Sequence, residues 1–406
     1  MPPTAPVETR QSIDVEEAVD TLRKMVSDVL TPQYDTHYNL LRWLTSSDFN
    51  LAKSAHMLRK HLKWRRERKL DEHEDFHGLQ RSKVAEEFAP ISIVGFNRSD
   101  GDRLIVIDQA GKIDINGVMK SVQPTEYLHQ MFRNFEKVYK HIQKREKEIG
   151  SQCAVYYIFD LAGLAFDPFL LSIVNGPFRV SWQLVASHYR DFIDKFIIVN
   201  SPSYINVLWS AISAFIPEHA REKFVFADKN WHEELLELCD ADCLPERYGG
   251  NLPNEQVLKD PRIVPKEFYW KPRDDYPALN QLHRVSVPAG KNRILKYFIR
   301  AETKINIYSH NENDITFSLL FSTKEDMGEE DCEVVIPPIP KCGLPAMDCF
   351  DYHCENSGYY HLKLSNEASW LLPTTYRLML HDHENSEIPA ININEKWIKV
   401  GDKKRK

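Results

Sequence analysis

The stretch Val155-Tyr156-Tyr157-Ile158-Phe159-Asp160 decides the fold, because it is a short β-branched and aromatic run that ends near the turn residue Gly163. Two similar runs follow at residues 195–200 and 224–227, and stretches with apolar residues at helical spacing separate the three runs. Strands that alternate with helices indicate βαβ units and a parallel sheet. The sequence therefore predicts a central α/β domain.

Residues 204–216 form the most apolar of the predicted helices. Aliphatic and aromatic residues fall on nearly every side, and hardly any charge occurs before Glu218. A helix that is apolar all round is buried in a core, faces a membrane or covers an apolar cavity. The pattern alone leaves an ordinary buried helix as an open alternative.

Several motifs in this region occur together in a fixed order: Tyr156–Asp160, Asn200-Ser201-Pro202, Asn206-Val207-Leu208-Trp209 and Leu244-Pro245-x-x-Tyr248-Gly249-Gly250. In order and spacing they resemble a CRAL-TRIO lipid-binding domain, and the resemblance extends upstream to about Asp35. That family includes phosphatidylinositol-transfer, tocopherol-transfer and retinaldehyde-binding proteins. The resemblance implies a cavity for one lipid, closed by a gate helix that corresponds to residues 204–215.

The composition excludes several classes of protein. The chain has 406 residues with 42% hydrophobic and 27% charged residues, which is typical of a globular protein with two or three domains. No window contains the 18 consecutive apolar residues of a membrane span, and no signal peptide is visible at residues 1–11. A net charge of −7 argues against nucleic-acid binding, and seven scattered cysteines fit reduced thiols. We expect a cytoplasmic protein that associates transiently with membranes.

Residues 1–75 are predicted to form an all-helical preface, with helices at 14–30, 35–44 and 50–69. The last helix is strongly basic, since residues 53–69 hold eight Lys or Arg and one Glu. A basic helix face attracts anionic headgroups, at about 1 kcal/mol for each near-surface charge. The alternative is an ordinary solvated face. The residues expected at a membrane surface are Lys60, Lys63, Arg65 and Arg66.

The chain after the preface divides by composition. Residues 76–252 form the predicted CRAL-TRIO domain, 253–282 a proline-rich linker, 283–384 an all-β sandwich and 385–406 a tail. Apolar residues alternate strictly at Ile315, Phe317, Leu319 and Phe321. The β region resembles a GOLD domain, which follows CRAL-TRIO domains in an animal subfamily that includes supernatant protein factor. This resemblance implies a protein partner for the β region.

No catalytic or metal-binding pattern stands out. The sequence lacks G-x-S-x-G, H-E-x-x-H, G-x-x-x-x-G-K-[ST] and a G-x-G-x-x-G after a strand. Cys342, Cys349, His353 and Cys354 lie close together, but they supply at most one C-x₂₋₄-C pair, and structural zinc sites usually need two such pairs. We therefore predict a protein that is not an enzyme and that needs neither a metal nor a cofactor.

The resemblance assigns residues to the cavity and to the lipid headgroup. The cavity and its gate are expected to be lined by Tyr157, Phe159, Phe178, Trp182, Tyr204, Leu208, Trp209, Ile212 and Phe215. Family members that bind phosphatidylinositol use four positions that fall here on Ser47, Asp191, Ala220 and Lys223. Asp191 keeps the acidic residue and Lys223 keeps the lysine of these proteins, so both are headgroup candidates. The basic residue and the threonine expected at the other two positions are absent. The ligand is left open between a phospholipid, a tocopherol-like lipid and a sterol precursor.

Two functions of different classes remain. The first is non-enzymatic binding and intracellular transfer or presentation of a single hydrophobic lipid in a gated apolar cavity. The second is a trafficking or signalling adaptor that acts through the GOLD domain, with the lipid as a regulator. The aromatic gate and the basic helix favour the first.

Overall fold

The computed structural model describes residues 14–72, 76, 78–167, 170, 174, 178–179, 186–213, 216, 218–369, 371–392 and 398–399. Over this part, the chain forms an N-terminal helical segment, a central α/β domain and a C-terminal pair of β-sheets. This order of structural classes is the one that the sequence predicts.

Three helices form the N-terminal segment: α1 (Val15–Met25), α2 (His37–Thr45) and α3 (Leu51–Glu67). Each follows a residue whose side chain accepts a backbone N–H of the first turn, and these residues are Asp14, Thr36 and Asn50. The three predicted helices are confirmed, although α1 ends earlier than the predicted residue 30 because residues 26–29 turn instead.

The central sheet has five strands in the order β1-β2-β3-β4-β5. Their bounds are β1 (Ser92–Phe96), β2 (Arg103–Asp108), β3 (Ala154–Asp160), β4 (Ile193–Val199) and β5 (Phe224–Phe226). Strands β2 to β5 are mutually parallel, which confirms the predicted parallel sheet. Strand β1 pairs antiparallel with β2 and was not predicted.

Helices cover both faces of this sheet. They are α4 (Lys83–Phe88), α5 (Ile115–Ser121), α6 (Pro124–Ile149), α7 (Ile205–Ser213), α8 (Glu218–Arg221), α9 (Trp231–Leu238) and α10 (Asn254–Val257). One face of β3 presents Tyr156 and Ile158 to a core that includes Leu235 of α9. The other face presents Tyr157 and Phe159 toward α6 and α7. No helix in the described ranges is long and apolar enough to cross a membrane.

The C-terminal strands form two antiparallel sheets with the orders β10-β9-β12-β7-β14 and β11-β8-β13-β6. Their bounds are β6 (His283–Val287), β7 (Lys291–Ile299), β8 (Thr303–Asn311), β9 (Ile315–Ser322), β10 (Glu333–Lys341), β11 (Asp348–Cys354), β12 (Gly358–Ser365), β13 (Thr374–His381) and β14 (Ile398–Lys399). The alternating apolar residues of β9 are buried in a core that both sheets share. The predicted all-β class of this region is confirmed.

The proline-rich segment before the sandwich packs against the central domain. Its Trp270 backbone N–H donates to the Lys120 carbonyl at 2.8 Å, and Val264 is buried beside Val118 and Phe88. The segment expected as a linker therefore adds to the core under α4 and α5.

Candidate functional site

The central domain contains an apolar cavity on the α6 and α7 face of the sheet. It consists of an inner chamber of about 190 Å³ beside α6 and an outer chamber of about 110 Å³ beneath α7. The two chambers share four lining residues, Ala110, Ile115, Phe159 and Phe178. The chambers are therefore adjacent, with these residues between them. A largely apolar cavity under a helix is a typical site for a hydrophobic ligand.

Aromatic rings from neighbouring strands form the cavity floor. In the parallel register Tyr157 lies opposite Phe196, and their rings stack with centroids 5.0 Å apart. Phe196 in turn contacts Phe224, whose ring centroid is 4.8 Å away. Side chains two residues apart share one face of a strand, so Phe159 continues the same floor.

Helix α7 covers the outer chamber and corresponds to the predicted gate helix. Leu208, Trp209 and Ile212 line the chamber, and the Trp209 ring lies 5.1 Å from the Phe224 ring. Val207 points away from the cavity and is 53% exposed. Some apolar residues of α7 therefore line the cavity, whereas Val207 lies on the exposed outer face of the helix.

The loop after β3 adds a second exposed apolar residue, Phe166, which contacts the segment before α7. The Tyr204 hydroxyl donates to the Leu164 carbonyl at 2.7 Å, and the Tyr204 ring packs edge-on against Phe166, which is 56% exposed. Tyr204, predicted to line the cavity, thus links the segment before α7 to the loop after β3. Phe178 lines both chambers, whereas Trp182 and Phe215 lie outside the described residues.

One carboxyl group occurs in the described lining of the inner chamber, and sequence reasoning did not identify it. Asp108 ends β2, and its Oδ2 accepts a hydrogen bond from the Tyr157 hydroxyl at 3.0 Å. Its Oδ1 is buried without a hydrogen-bond partner in the described part of the chain. Burial raises the pKa of the Asp108 carboxyl to about 6, because an apolar environment disfavours the charged form.

The two headgroup candidates meet each other. The Lys223 ammonium lies 2.8 Å from Asp191 and donates a second bond of 2.8 Å to the Ile193 carbonyl. Asp191 adopts a left-handed backbone conformation with φ +49° at the turn into β4. A cation held by a carboxylate and a carbonyl is largely compensated, so this pair offers little net positive charge to a phosphate. Ser47, the position of the missing basic residue, is buried.

The basic helix α3 divides into exposed and buried residues. Lys60, Lys63 and Arg66 are exposed, as expected for a surface that meets anionic groups. The expectation is wrong for Arg65, which is 3% exposed and forms ion pairs with Glu136 and Asp71. Burial opposes its charge, but these acidic partners outweigh it and raise the pKa of Arg65 well above its usual value. Arg65 therefore joins α3 to α6 inside the core.

The four residues considered for zinc do not form one cluster. Cys342 packs beside Phe88 and Val118, while Cys354 belongs to the sandwich core. His353 contacts Glu302 at the surface. In the described ranges, no group of three or more His, Cys, Asp or Glu is arranged to hold a metal.

Buried polar contacts join the central domain to the sandwich. The Thr125 hydroxyl of α6 donates to Asp348, whose carboxylate also lies 2.7 Å from Lys341, and both charged residues are buried. Arg179, adjacent to the cavity residue Phe178, forms an ion pair with Asp314 of the sandwich. One wall of the cavity is thus connected to the C-terminal sheets.

Comparisons with known proteins match both regions. A family model described as a CRAL/TRIO domain matches residues 93–250. Residues 268–389 match a second model, described as "F28H7_8_C:-like, C-terminal domain". This description does not use the term GOLD, so the GOLD resemblance stays a prediction.

Full-length relatives extend this result. The chain is 57% identical over 401 residues to the CRAL-TRIO domain-containing protein F28H7.8 of Caenorhabditis elegans, covering 97% of this chain and 98% of that protein. It is 24% identical over 289 residues to the phosphatidylinositol/phosphatidylcholine transfer protein SFH9 of Arabidopsis thaliana, covering 66% and 49% of the two chains. The crystal structure of Sfh5 aligns at 15% identity with a TM-score of 0.48, covering 63% of this chain and 95% of that one. The chain belongs to the CRAL-TRIO family.

Proposed function

We propose that the protein binds one hydrophobic lipid in the two-chamber cavity and transfers or presents it between membranes. The observation that carries this proposal is the continuous apolar lining under α7, from Phe159 on the floor to Trp209 on the gate helix. Lipid binding in general is a property of this family, whereas the gating and the identity of the lipid are our inference. The polar groups at the cavity belong to no catalytic constellation, which supports a non-enzymatic role.

The energetics permit extraction of a lipid once a membrane contact is made. A methylene in water would cost about 0.8 kcal/mol, but an alkyl chain that moves directly from the bilayer into the cavity exchanges one apolar environment for another and does not incur this cost. The barrier is the opening of the cavity. A cover made of a single short helix, with only Leu208 fully buried, can move at a lower cost than an element of the central core.

We propose that the gate region is also the membrane-contacting surface. Phe166 and Val207 are exposed apolar residues on the outside of this region, and apolar side chains on a helix surface can be buried at the boundary between lipid headgroups and acyl chains. The exposed basic residues Lys60, Lys63 and Arg66 of α3 would add attraction to anionic lipids. We therefore propose a cytoplasmic protein that attaches transiently to membranes.

The residue pattern supports a ligand other than phosphatidylinositol. Lys223 is already paired with Asp191, and the positions at Ser47 and Ala220 lack the groups that complete an inositol phosphate site in the resembled proteins. The name of the relative SFH9 favours a phospholipid ligand. The cavity lining instead favours a neutral lipid, either tocopherol-like or a sterol precursor, because its described residues are largely apolar and include no Lys or Arg.

A transfer assay tests this function. The full chain is added to donor liposomes that carry a fluorescent neutral lipid or fluorescent phosphatidylinositol, together with unlabelled acceptor liposomes. We expect transfer of the neutral lipid to increase with protein concentration. The substitution Trp209→Asp places a charge in the cavity lining and should abolish this transfer. The control Trp270→Phe, outside the cavity, should leave the transfer unchanged. Equal transfer by wild type and Trp209→Asp would contradict the proposal.

An adaptor function of the sandwich is the second candidate. Phe298 on β7 is exposed beside Tyr359 on β12, and Leu371 and Leu372 are exposed in the loop before β13. Exposed apolar residues of this kind can bind a protein partner. A partner whose affinity for the sandwich changes on lipid loading, in a protein that transfers no lipid between liposomes, would favour an adaptor over a carrier.

A further inference from the structure

We propose that Asp108 and Tyr157 recognise a hydroxyl group at the polar end of the bound lipid. The inference rests on the proposed lipid-binding function and specifies the class of ligand. Both residues line the inner chamber, near the carboxyl end of β2 where it pairs with β3, and Gln130 and Asn134 are further polar residues of this lining.

The carboxyl group of Asp108 is only partly satisfied by the protein. Tyr157 donates to Oδ2 at 3.0 Å, and buried Oδ1 has no hydrogen-bond partner among the described residues. An unsatisfied acceptor next to an apolar cavity is costly unless a ligand supplies a donor. The terminal torsion of an aspartate is broad, so a small rotation brings either oxygen toward the chamber.

A second hydroxyl lies at the same end. Tyr127 lines the inner chamber, and together with burial and Asp108 it raises the pKa of the Tyr157 hydroxyl. The Tyr157 hydroxyl already donates its proton to Asp108, so both groups offer a ligand an acceptor, while the Tyr127 phenol can donate or accept. A ligand hydroxyl has the same combination, because it donates one hydrogen bond and accepts others.

The charges around the cavity exclude a phosphate at this position. No Lys or Arg occurs in the described lining of either chamber. A phosphate next to Asp108 would face a like charge without a compensating cation, which is unfavourable in an apolar site. An ammonium group would complement the charge, but it only donates hydrogen bonds and cannot accept from the Tyr127 phenol. A lipid alcohol therefore fits best.

Three probes that share one alkyl chain test this assignment: lauryl alcohol, its methyl ether and laurylamine. Their affinities for the delipidated full chain are measured by isothermal titration calorimetry. We expect the alcohol to bind about tenfold more tightly than the ether, as expected for one hydrogen bond to a charged acceptor. Asp108→Leu should reduce this ratio to about one while leaving ether binding intact or improved. The control Asp274→Leu, at an exposed position in the proline-rich segment, should keep the ratio of the wild type.

Each other outcome has a definite meaning. Equal affinities of alcohol and ether for the wild type would overturn the hydroxyl assignment and leave the carrier function standing. Tighter binding of laurylamine than of the alcohol would replace the alcohol by a cationic lipid and so also overturn it. Failure of all three probes to bind would overturn the proposed function itself. If Asp108→Leu does not fold, Tyr157→Phe, which keeps the aromatic floor, should still lower the preference for the alcohol, and an unchanged preference would contradict the inference.

Discussion

Arg179 forms an ion pair with Asp314, and this contact connects the cavity wall of the central domain to the C-terminal sandwich. Phe178, the neighbour of Arg179, lines both chambers. Asp314 is half-buried and also accepts a bond of 3.4 Å from the Gly343 backbone N–H. The sandwich therefore contacts the wall of the cavity through a charged pair.

The first prediction concerns this contact. Asp314→Asn should increase the rate at which a bound lipid exchanges, because the segment that carries Phe178 loses its charged partner in the sandwich. A fluorescent lipid preloaded into the full chain and chased with empty liposomes measures the rate. Asp351→Asn, which removes an exposed ion pair with Lys304, is the matched control and should leave the rate unchanged. Identical exchange rates for Asp314→Asn and the wild type would show that the contact does not affect the cavity.

The second prediction separates two neighbouring arginines of α3. Arg65→Met should lower the free energy of unfolding by about 3–5 kcal/mol, because it leaves the buried Glu136 without its partner. Arg66→Met should change it by less than about 0.5 kcal/mol, because Arg66 is exposed. Chemical denaturation of both variants measures the difference. Similar small effects at both positions would contradict the burial of Arg65.

The third prediction concerns the outer surface of the gate helix. Val207→Asp should weaken binding to liposomes and slow lipid uptake, while the melting temperature stays close to that of the wild type because the side chain is exposed. Leu236→Asp places the same charge at an exposed position of α9, outside the gate, and serves as the control. Liposome co-sedimentation compares the two variants. A larger loss for Leu236→Asp would place the membrane contact elsewhere.

The fourth prediction concerns pH. The pKa of Asp108 is about 6 in the folded protein, above its ordinary value of 3.8, so the folded state binds this proton more tightly than the unfolded state. Asp108 therefore makes the protein less stable as the pH rises from about 4 to 6, by on the order of 2–3 kcal/mol in total. In Asp108→Asn this part of the pH dependence should disappear. Denaturation curves of wild type and variant between these pH values give the difference, and parallel profiles would contradict a raised pKa.

Much of the fold can be predicted from the sequence because its patterns are local. The sequence predicts a helix over 35–44, and the structure has α2 over His37–Thr45. The alternation in β9 likewise identifies one buried face of a strand. Strand β1 and helices α4 and α5 were missed because they are short, and their positions depend on packing against β2 and Val264 rather than on their own periodicity.

The site could be predicted only in part, for a related reason. The floor residue Phe159 and the gate residue Trp209 follow from a strand pattern and a helix pattern. Asp108 could not be predicted as a site residue, because a carboxylate at the end of a strand is common. It lies in the cavity lining because β2 pairs with β3, which the local sequence does not show. The burial of Arg65 likewise depends on Glu136, which lies 71 residues away. The sequence of a basic helix does not show which of its Lys or Arg residues forms an ion pair with a buried carboxylate.

Native mass spectrometry of the full chain, with extraction and identification of any bound lipid, tests the central claim most directly. We expect one lipid per chain, exchangeable with liposomes, and the lipid to carry a hydroxyl group and no phosphate. A stoichiometric phospholipid would keep the carrier function and contradict the assigned ligand class. A chain that purifies empty and that no lipid mixture can load would contradict the central claim.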